Sequence, residues 1–290
     1  MTATFGKDTP IMMHDGTIKA VQDIKVGDQL MGPDSLCKTV LSLSTGKTML
    51  YNIIPANGDT DTYTVSKNHI LSLKYSKDLS EKMRFGAIIN IPILEYLTII
   101  NLDKGRNLLS GYRVAIDYPN KELELDPYFL GYYLGNNKIH KTADECSSLE
   151  KLSLNTNIHI PANCKCNSQK LRLHLLAGII DSMATLVKNK YEIIHPDEIL
   201  VDDIIYVCRS LGFATHKTTT TTGHKIYIHG RGIDDIPVRS IKTKMFRQKP
   251  ADVANTLLTE IIIRKKYVDC YYSFTTDGNQ RTVLGDFTVL

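Results

Sequence analysis

Three groupings of reactive side chains stand out along the 290 residues. Cys164 and Cys166, separated by Lys165, lie between His159 and His174, and thiols with imidazoles are a zinc-type donor set. Their spacing fits no common zinc pattern, so the plainer reading is two free thiols in a polar loop. Arg239, Lys242, Lys244, Arg247 and Lys249 form a basic run that suits DNA phosphates or, more commonly, a solvated linker. In TYTVSKNHILSL, residues 62–73, His69 follows Ser66 by three positions. An imidazole near a hydroxyl can hold or move a proton at neutral pH, although a lone strand histidine is ordinarily structural.

The elements that must hold such groups are legible from composition and pattern. With 42% hydrophobic and 23% charged residues the chain is an ordinary globular one, long enough for one large domain or two small ones. A balance of 35 basic and 31 acidic residues leaves +4, too mild to indicate nucleic acid without a localised basic face. The longest apolar stretch, 85–102, is broken by Asn90, Pro92, Glu95 and Asn101, and no basic-then-apolar leader opens the chain. Neither a membrane span nor a secretory signal is expected, and the location expected is cytoplasmic or nuclear. Six scattered cysteines are expected to be free thiols.

The first hundred or so residues read as all-β. Turn signals at His14-Asp15-Gly16, Gly27-Asp28 and Gly32-Pro33-Asp34 bracket short apolar runs, and no helical period is expected there. After about residue 126 the character changes. Asp126 caps and Pro127 opens a helix over 128–134, a second helix covers 171–183 behind Asn167-Ser168, and a third within 196–211 stops at Gly212. Residues 218–223 read as a polar loop before an alternating strand at 225–229. The tail, 268–290, returns to strand chemistry around Asp277-Gly278 and Gly285-Asp286. A β unit split by an α+β insert is the simplest architecture.

That layout resembles an intein carrying a LAGLIDADG homing-endonuclease domain inside its splicing domain, similar to viral and fungal inteins. The resemblance covers nearly the whole chain. TFGKDTPIMMHDG (4–16) is similar to the amino-terminal splicing block, 62–73 to the second block, and YYSFTTDGNQRTVLGDFTVL (271–290) to the carboxy-terminal blocks. LDPYFLGYYLGNN (125–137) and LRLHLLAGIIDSMA (171–184) look like the paired LAGLIDADG helices, and 207–215 with 225–237 look like the helix and hairpin that follow. The fold class implied is mainly β with an α+β insert: a Hint horseshoe-like β splicing domain interrupted by a partial LAGLIDADG endonuclease domain. Its parts would be 1–115 and 255–290 for splicing and 116–254 for the endonuclease remnant.

The resemblance also implies roles. The first-residue nucleophile, five positions before Thr9, is Thr4, with Ala3 the alternative register. Family members usually begin with Cys or Ser; a threonine hydroxyl depends wholly on an adjacent base, so Thr4 is expected to be slow or silent. His69 would act on the bond before Thr4, with Ser66 hydrogen-bonding nearby. Ser273 stands where others carry Asp, and Gln280 where many carry His. The chain stops at Leu290 without the family's closing His-Asn, so inactivation at both junctions is expected. In the insert, the metal-holding carboxylate positions fall on Asn136 and Met183, neither of which suits a hard divalent ion. Asp181 would serve helix packing. Only about twenty residues separate Asn137 from the segment at 157–164, too few for a second half-domain. DNA cleavage is therefore expected to be absent, with vestigial DNA binding allowed. The partners implied are flanking host segments in cis, with no membrane, no cofactor and a monomeric chain, located wherever the host protein is. An active homing endonuclease and a hedgehog-like autoprocessing domain are the alternatives: the first lacks its carboxylates, and the second has no reason to carry the paired helices.

Overall fold

The computed structural model describes residues 3–56, 58, 61–78, 80–81, 83–102, 108–136, 141–154, 158–245 and 255–290. The chain divides into two compact units, Met1–Val114 with Leu257–Leu290, and Ala115–Thr256. No helix among the described residues is long and apolar enough to cross a membrane.

In the first unit, β1 (Ala3–Gly6), β2 (Pro10–Met12), β3 (Ile18–Ala20) and β4 (Gln29–Met31) lead to the long β5 (Cys37–Pro55). Next come β6 (Tyr63–Ser66), β7 (Ile70–Tyr75), β8 (Ile88–Pro92), α1 (Ile93–Leu102) and β9 (Leu109–Tyr112). The second unit holds α2 (Pro127–Gly135), α3 (Ala143–Lys151), α4 (Ala162–Lys165), α5 (Gln169–Met183), β10 (Thr185–Val187) and β11 (Lys190–His195). It closes with α6 (Glu198–Ser210), β12 (Ala214–Thr220) and β13 (Gly223–His229), after which the first unit resumes with β14 (Leu258–Thr259) and β15 (Ile261–Thr276).

The horseshoe-like, mainly β fold class is corrected by this arrangement, which is a mixed one of helices and several separate sheets. A five-stranded sheet runs β15-β1-β6-β5-β4, a four-stranded sheet β14-β9-β7-β8, and β2 pairs with β3 alone; β10-β11-β13-β12 form the sheet of the second unit. The five-stranded sheet does not close. The physical reason lies in β5 and β15, which pair with each other from Ile261↔Pro55 to Thr276↔Val40, with register shifts at Lys265/Val268 and Thr275/Thr276. The ribbon takes only short partners on its outer edges, β1 on β15 and β4 and β6 on β5, while β7, β8, β9 and β14 form a sheet of their own.

Two other expectations are corrected. The first hundred residues include a helix, α1, where ILEYLTIINL holds neither glycine nor proline and Pro92 stands just before the helix start. The polar loop at 218–223 is mostly strand: β12 runs to Thr220 and pairs through Thr220↔Gly223, leaving a two-residue turn. Threonines suit a pleated surface, and Gly223 takes φ 133°.

In the second unit α2 and α5 pack at backbone contact. A Cβ at Gly131 would lie 2.1 Å from the Leu175 carbonyl oxygen, and one at Gly178 would lie 2.1 Å from that of Tyr128. Only glycine permits this approach. Asp126 caps α2 by accepting from Phe129 N at 2.9 Å, with Pro127 at the first turn. Ser168 makes no side-chain cap on α5; instead Asn167 Oδ1 accepts from the amides of Ser168 and Lys121. The core behind the pair gathers Leu130, Leu175, Ile179, Ile193, Ile204 and Ile226, all fully buried.

Candidate functional site

The first unit brings three of the sequence-predicted residues into one buried cluster. Thr4 lies on β1 with Phe5 behind it, and Phe5 is fully buried between Phe274, 5.6 Å away by ring centroids, and the His69 ring at 5.3 Å. Burying one phenylalanine contributes about 1.5–3 kcal/mol, enough to fix the register of a four-residue strand. Gly6 is required next to it, since a Cβ there would sit 2.7 Å from Thr64 Cγ2.

His69 reaches Thr4 through a tight turn after β6. Ser66 Oγ accepts from Asn68 N at 3.2 Å and Ser66 O from His69 N at 3.0 Å, a hydroxyl-stabilised bend. The His69 carbonyl in turn accepts from Ile93 N at 3.1 Å. So held, His69 Nδ1 lies 3.2 Å from Thr4 N and 3.1 Å from Thr4 O, while Thr4 Oγ1 and Ser66 Oγ share a hydrogen bond of 2.7 Å. All three residues are at least nine-tenths buried. Burial pushes the imidazole down from its usual 6.5 to about 4, only partly offset by the backbone contact with Thr4. The ring is neutral at pH 7. One nitrogen cannot both accept from Thr4 N and donate to Thr4 O, so the two contacts belong to two tautomers.

The other predicted residues are placed differently. Ser273, buried, stands directly opposite Thr4 in the β1–β15 register. Thr9 donates to Gly6 O at 2.8 Å and so closes the turn after β1 instead of facing Thr4. Gln280 lies beyond the end of β15 with φ 56°, and among the described residues no hydrogen bond ties it to the Thr4 cluster. Sequence reasoning passed over Phe5, which packs on the histidine, and Phe274, which backs Phe5; their signal was their burial-prone chemistry in β-rich runs.

Residues 4–106 match the family described as Hom_end-associated Hint. This segment is intein-like. Over 84 residues, 26% of this chain, the sequence is 34% identical to the catalytic subunit of the V-type proton ATPase of Candida tropicalis, and the match covers 8% of that protein. The chain therefore spans only a small part of the length of that curated relative. Among solved structures, a variant of the gp41-1 intein is 17% identical with a TM-score of 0.21, covering 31% of this chain and 80% of its own. The Msm DnaB1 intein splicing domain, solved bound with zinc, is 17% identical with a TM-score of 0.22, covering 30% of this chain and 78% of its own.

Outside the intein-like segment, the second unit places Asn136, exposed, at the end of α2 and Met183, half-buried, at the end of α5. Asp181, also on α5, is fully engaged. Its carboxylate accepts from Tyr128 Oη at 2.8 Å, Arg239 N at 2.6 Å, Ser240 N at 3.2 Å and the Thr243 hydroxyl. The Arg239 guanidinium stacks 3.6 Å over the Tyr128 ring, a cation–π contact, and Arg247 and Lys249 of the basic run lie outside the described residues. Between α2 and α5 the described residues hold two helices and no strand. No group of three or more His, Cys, Asp or Glu among the described residues is placed to hold a metal. Cys164 and Cys166 are buried free thiols, and burial raises the Cys164 thiol to about 11.

Proposed function

We propose that the chain is a single-turnover protein-splicing element whose upstream step is an acyl shift at the bond between Ala3 and Thr4. The observation that supports this most directly is the placement of His69 Nδ1 against both backbone atoms of Thr4. In the tautomer that carries hydrogen on Nδ1, the proton rests on Thr4 O, one short step from the nitrogen that must receive it. Thr4 Oγ1 attacks the Ala3 carbonyl carbon, a C–O bond forms, the C–N bond breaks, and nitrogen takes a proton from Nδ1 as it becomes an amine. The hydroxyl proton replaces the one that Nδ1 gave up, so the step is an isomerisation with no added reagent, and Ser66 Oγ, 2.7 Å from Thr4 Oγ1, orients the attacking hydroxyl. Transfer to a downstream nucleophile, cyclisation of a terminal asparagine and ligation of the flanks complete the reading.

Thr4 makes this step slow, since a hydroxyl is a far weaker nucleophile than a thiolate. The second unit fits a degenerate, partial LAGLIDADG insert without nuclease activity. Asparagine and methionine stand at the two positions that the resemblance assigns to metal, and Asp181, on the same helix as Met183, is spent on four donors within the unit. A two-carboxylate metal clamp, which supplies much of the rate in phosphodiester hydrolysis, finds no carboxylate at either of these positions.

The test places the chain between two short flanks, with Thr4→Cys and a His-Asn pair plus a cysteine after Leu290. Ligated flanks and a free splicing element, resolved by mass, are expected. A folded chain that yields neither ligation nor cleavage at either junction contradicts the proposal.

A further inference from the structure

The second unit buries a guanidinium completely, and none of its hydrogen-bond acceptors is a carboxylate. Arg172, on α5, donates from Nε to Asn167 O at 2.7 Å, from Nη1 to Ser210 Oγ and from Nη2 to Ile116 O. A buried charge is expensive unless its donors are all used, so what this one holds is informative. It holds the start of the unit. Ile116 N donates to Ser210 O at 3.0 Å, and the Arg172 guanidinium lies 5.2 Å over the Tyr118 ring, whose hydroxyl shares a 2.6 Å hydrogen bond with that of Tyr206 on α6. Asn167, also fully buried, accepts from Lys121 N at 2.9 Å and donates to Lys121 O at 3.0 Å. Residues 116–121 are thereby fixed to α5 and to the C-terminal end of α6.

The end of the unit arrives at the same place. Thr256 is buried, and a Cβ at Gly230 would lie 3.0 Å from Thr256 Oγ1 and 3.5 Å from Phe213 Cα. Phe213 stands just beyond Ser210, its amide donating to Cys208 O at 3.0 Å. The first unit has the matching requirement. Its chain leaves at Val114 and returns at Leu257, and the two segments pair there: Arg113 N donates to Leu257 O at 2.9 Å and Tyr112 stands opposite Leu258.

We propose that the second unit acts as a closure for the first: it holds its own two ends, Ile116 and Thr256, at the C-terminal end of α6, with Arg172 fixing the entry side, and so joins the two separated segments of the first unit as a cross-link would. Without such a closure, residues 115–256 are a loop of roughly 140 residues, and the entropy of bringing its ends together opposes every pairing across it, β5 with β15 included. With both ends held, the loop counts as only a few residues. The gain lies in the unfolded state of the first unit, as for a disulfide. The inference is independent of the splicing reading.

Hydrogen exchange of the full chain tests this, with the slowest amides of β5 and β15 reporting on the first unit and those of β11 and β13 on the second. Inserting about twenty Gly and Ser residues between Val114 and Ala115 keeps every residue of both units and lengthens only the closure. Exchange in β5 and β15 should rise roughly tenfold, with β11 and β13 unchanged. Arg172→Met, which frees Ile116, should speed the same amides about fivefold in the unmodified chain but less than about 1.5-fold in the chain with the insertion, because a closure already long loses little from a few more free residues. Unchanged exchange in β5 and β15 after the insertion overturns the proposal. An equal effect of Arg172→Met with and without the insertion also overturns it, since that is the mark of coupling through packing. Where Arg172→Met unfolds the second unit, seen as lost protection in β11 and β13, the insertion alone decides.

Discussion

The backbone nitrogen of Thr4 and Nδ1 of His69 lie 3.2 Å apart, although 65 residues separate them in sequence. The contact is made between two buried residues, and the protonation of His69 is therefore linked to folding. Its pKa is about 4 folded against an ordinary 6.5 unfolded. Above pH 6.5 neither state binds the proton; between 6.5 and about 4 only the unfolded chain does. Stability should accordingly be full above that window and fall by about 3 kcal/mol as pH drops through it. His69→Gln should flatten this dependence, read as the denaturant midpoint of amide exchange in β1 and β6 at pH 7 and pH 4.5.

Ser66 serves two partners, the Thr4 hydroxyl and the Asn68 amide. Ser66→Ala leaves the buried Thr4 hydroxyl without its hydrogen-bond partner and loosens the bend that aims His69. A loss of roughly 1–3 kcal/mol is expected, measured by urea denaturation of the same strands. An effect below about 0.5 kcal/mol would show that the hydroxyl pair contributes little.

Gly178→Ala should be disruptive in the second unit, because the added carbon meets the Tyr128 carbonyl oxygen at 2.1 Å. The helices must separate, at a cost of roughly 1–3 kcal/mol or more. Gly27→Ala is a useful contrast: nothing lies within 4 Å of its Cβ, and only its φ of 89° resists the change. Thermal unfolding of the two variants should show a loss in different units.

Incubation with DNA carrying a candidate insertion site should give no cleavage, with or without magnesium, for want of carboxylates at positions 136 and 183. Magnesium-dependent cutting by a nuclease-free preparation would refute this. Any residual DNA affinity should weaken as salt is added.

How far the sequence could be read depended on whether a feature is local. Asp126-Pro127 and Gly212 bound their helices through chemistry confined to a few residues, and both signals were visible. The His69 cluster was legible only as block order and spacing, since a contact between β1 and the turn after β6 leaves no local trace. The horseshoe was misjudged because the commitment of β5 to β15 joins residues more than two hundred positions apart. α1 was missed because its nearly continuous apolar residues, interrupted by Glu95 and Asn101, show no helical period.

The central claim, that Thr4 and His69 act together on the bond before position 4, is tested by thiol-induced cleavage of the full-length Thr4→Cys chain. A cysteine at that position should form a thioester with Ala3, and an added thiol should then release residues 1–3, a loss read directly by mass spectrometry. Adding His69→Ala to the same chain should suppress the release by roughly two orders of magnitude or more, within the range for general acid catalysis. A folded Thr4→Cys chain that keeps residues 1–3, or one that releases them equally well without His69, would contradict the account.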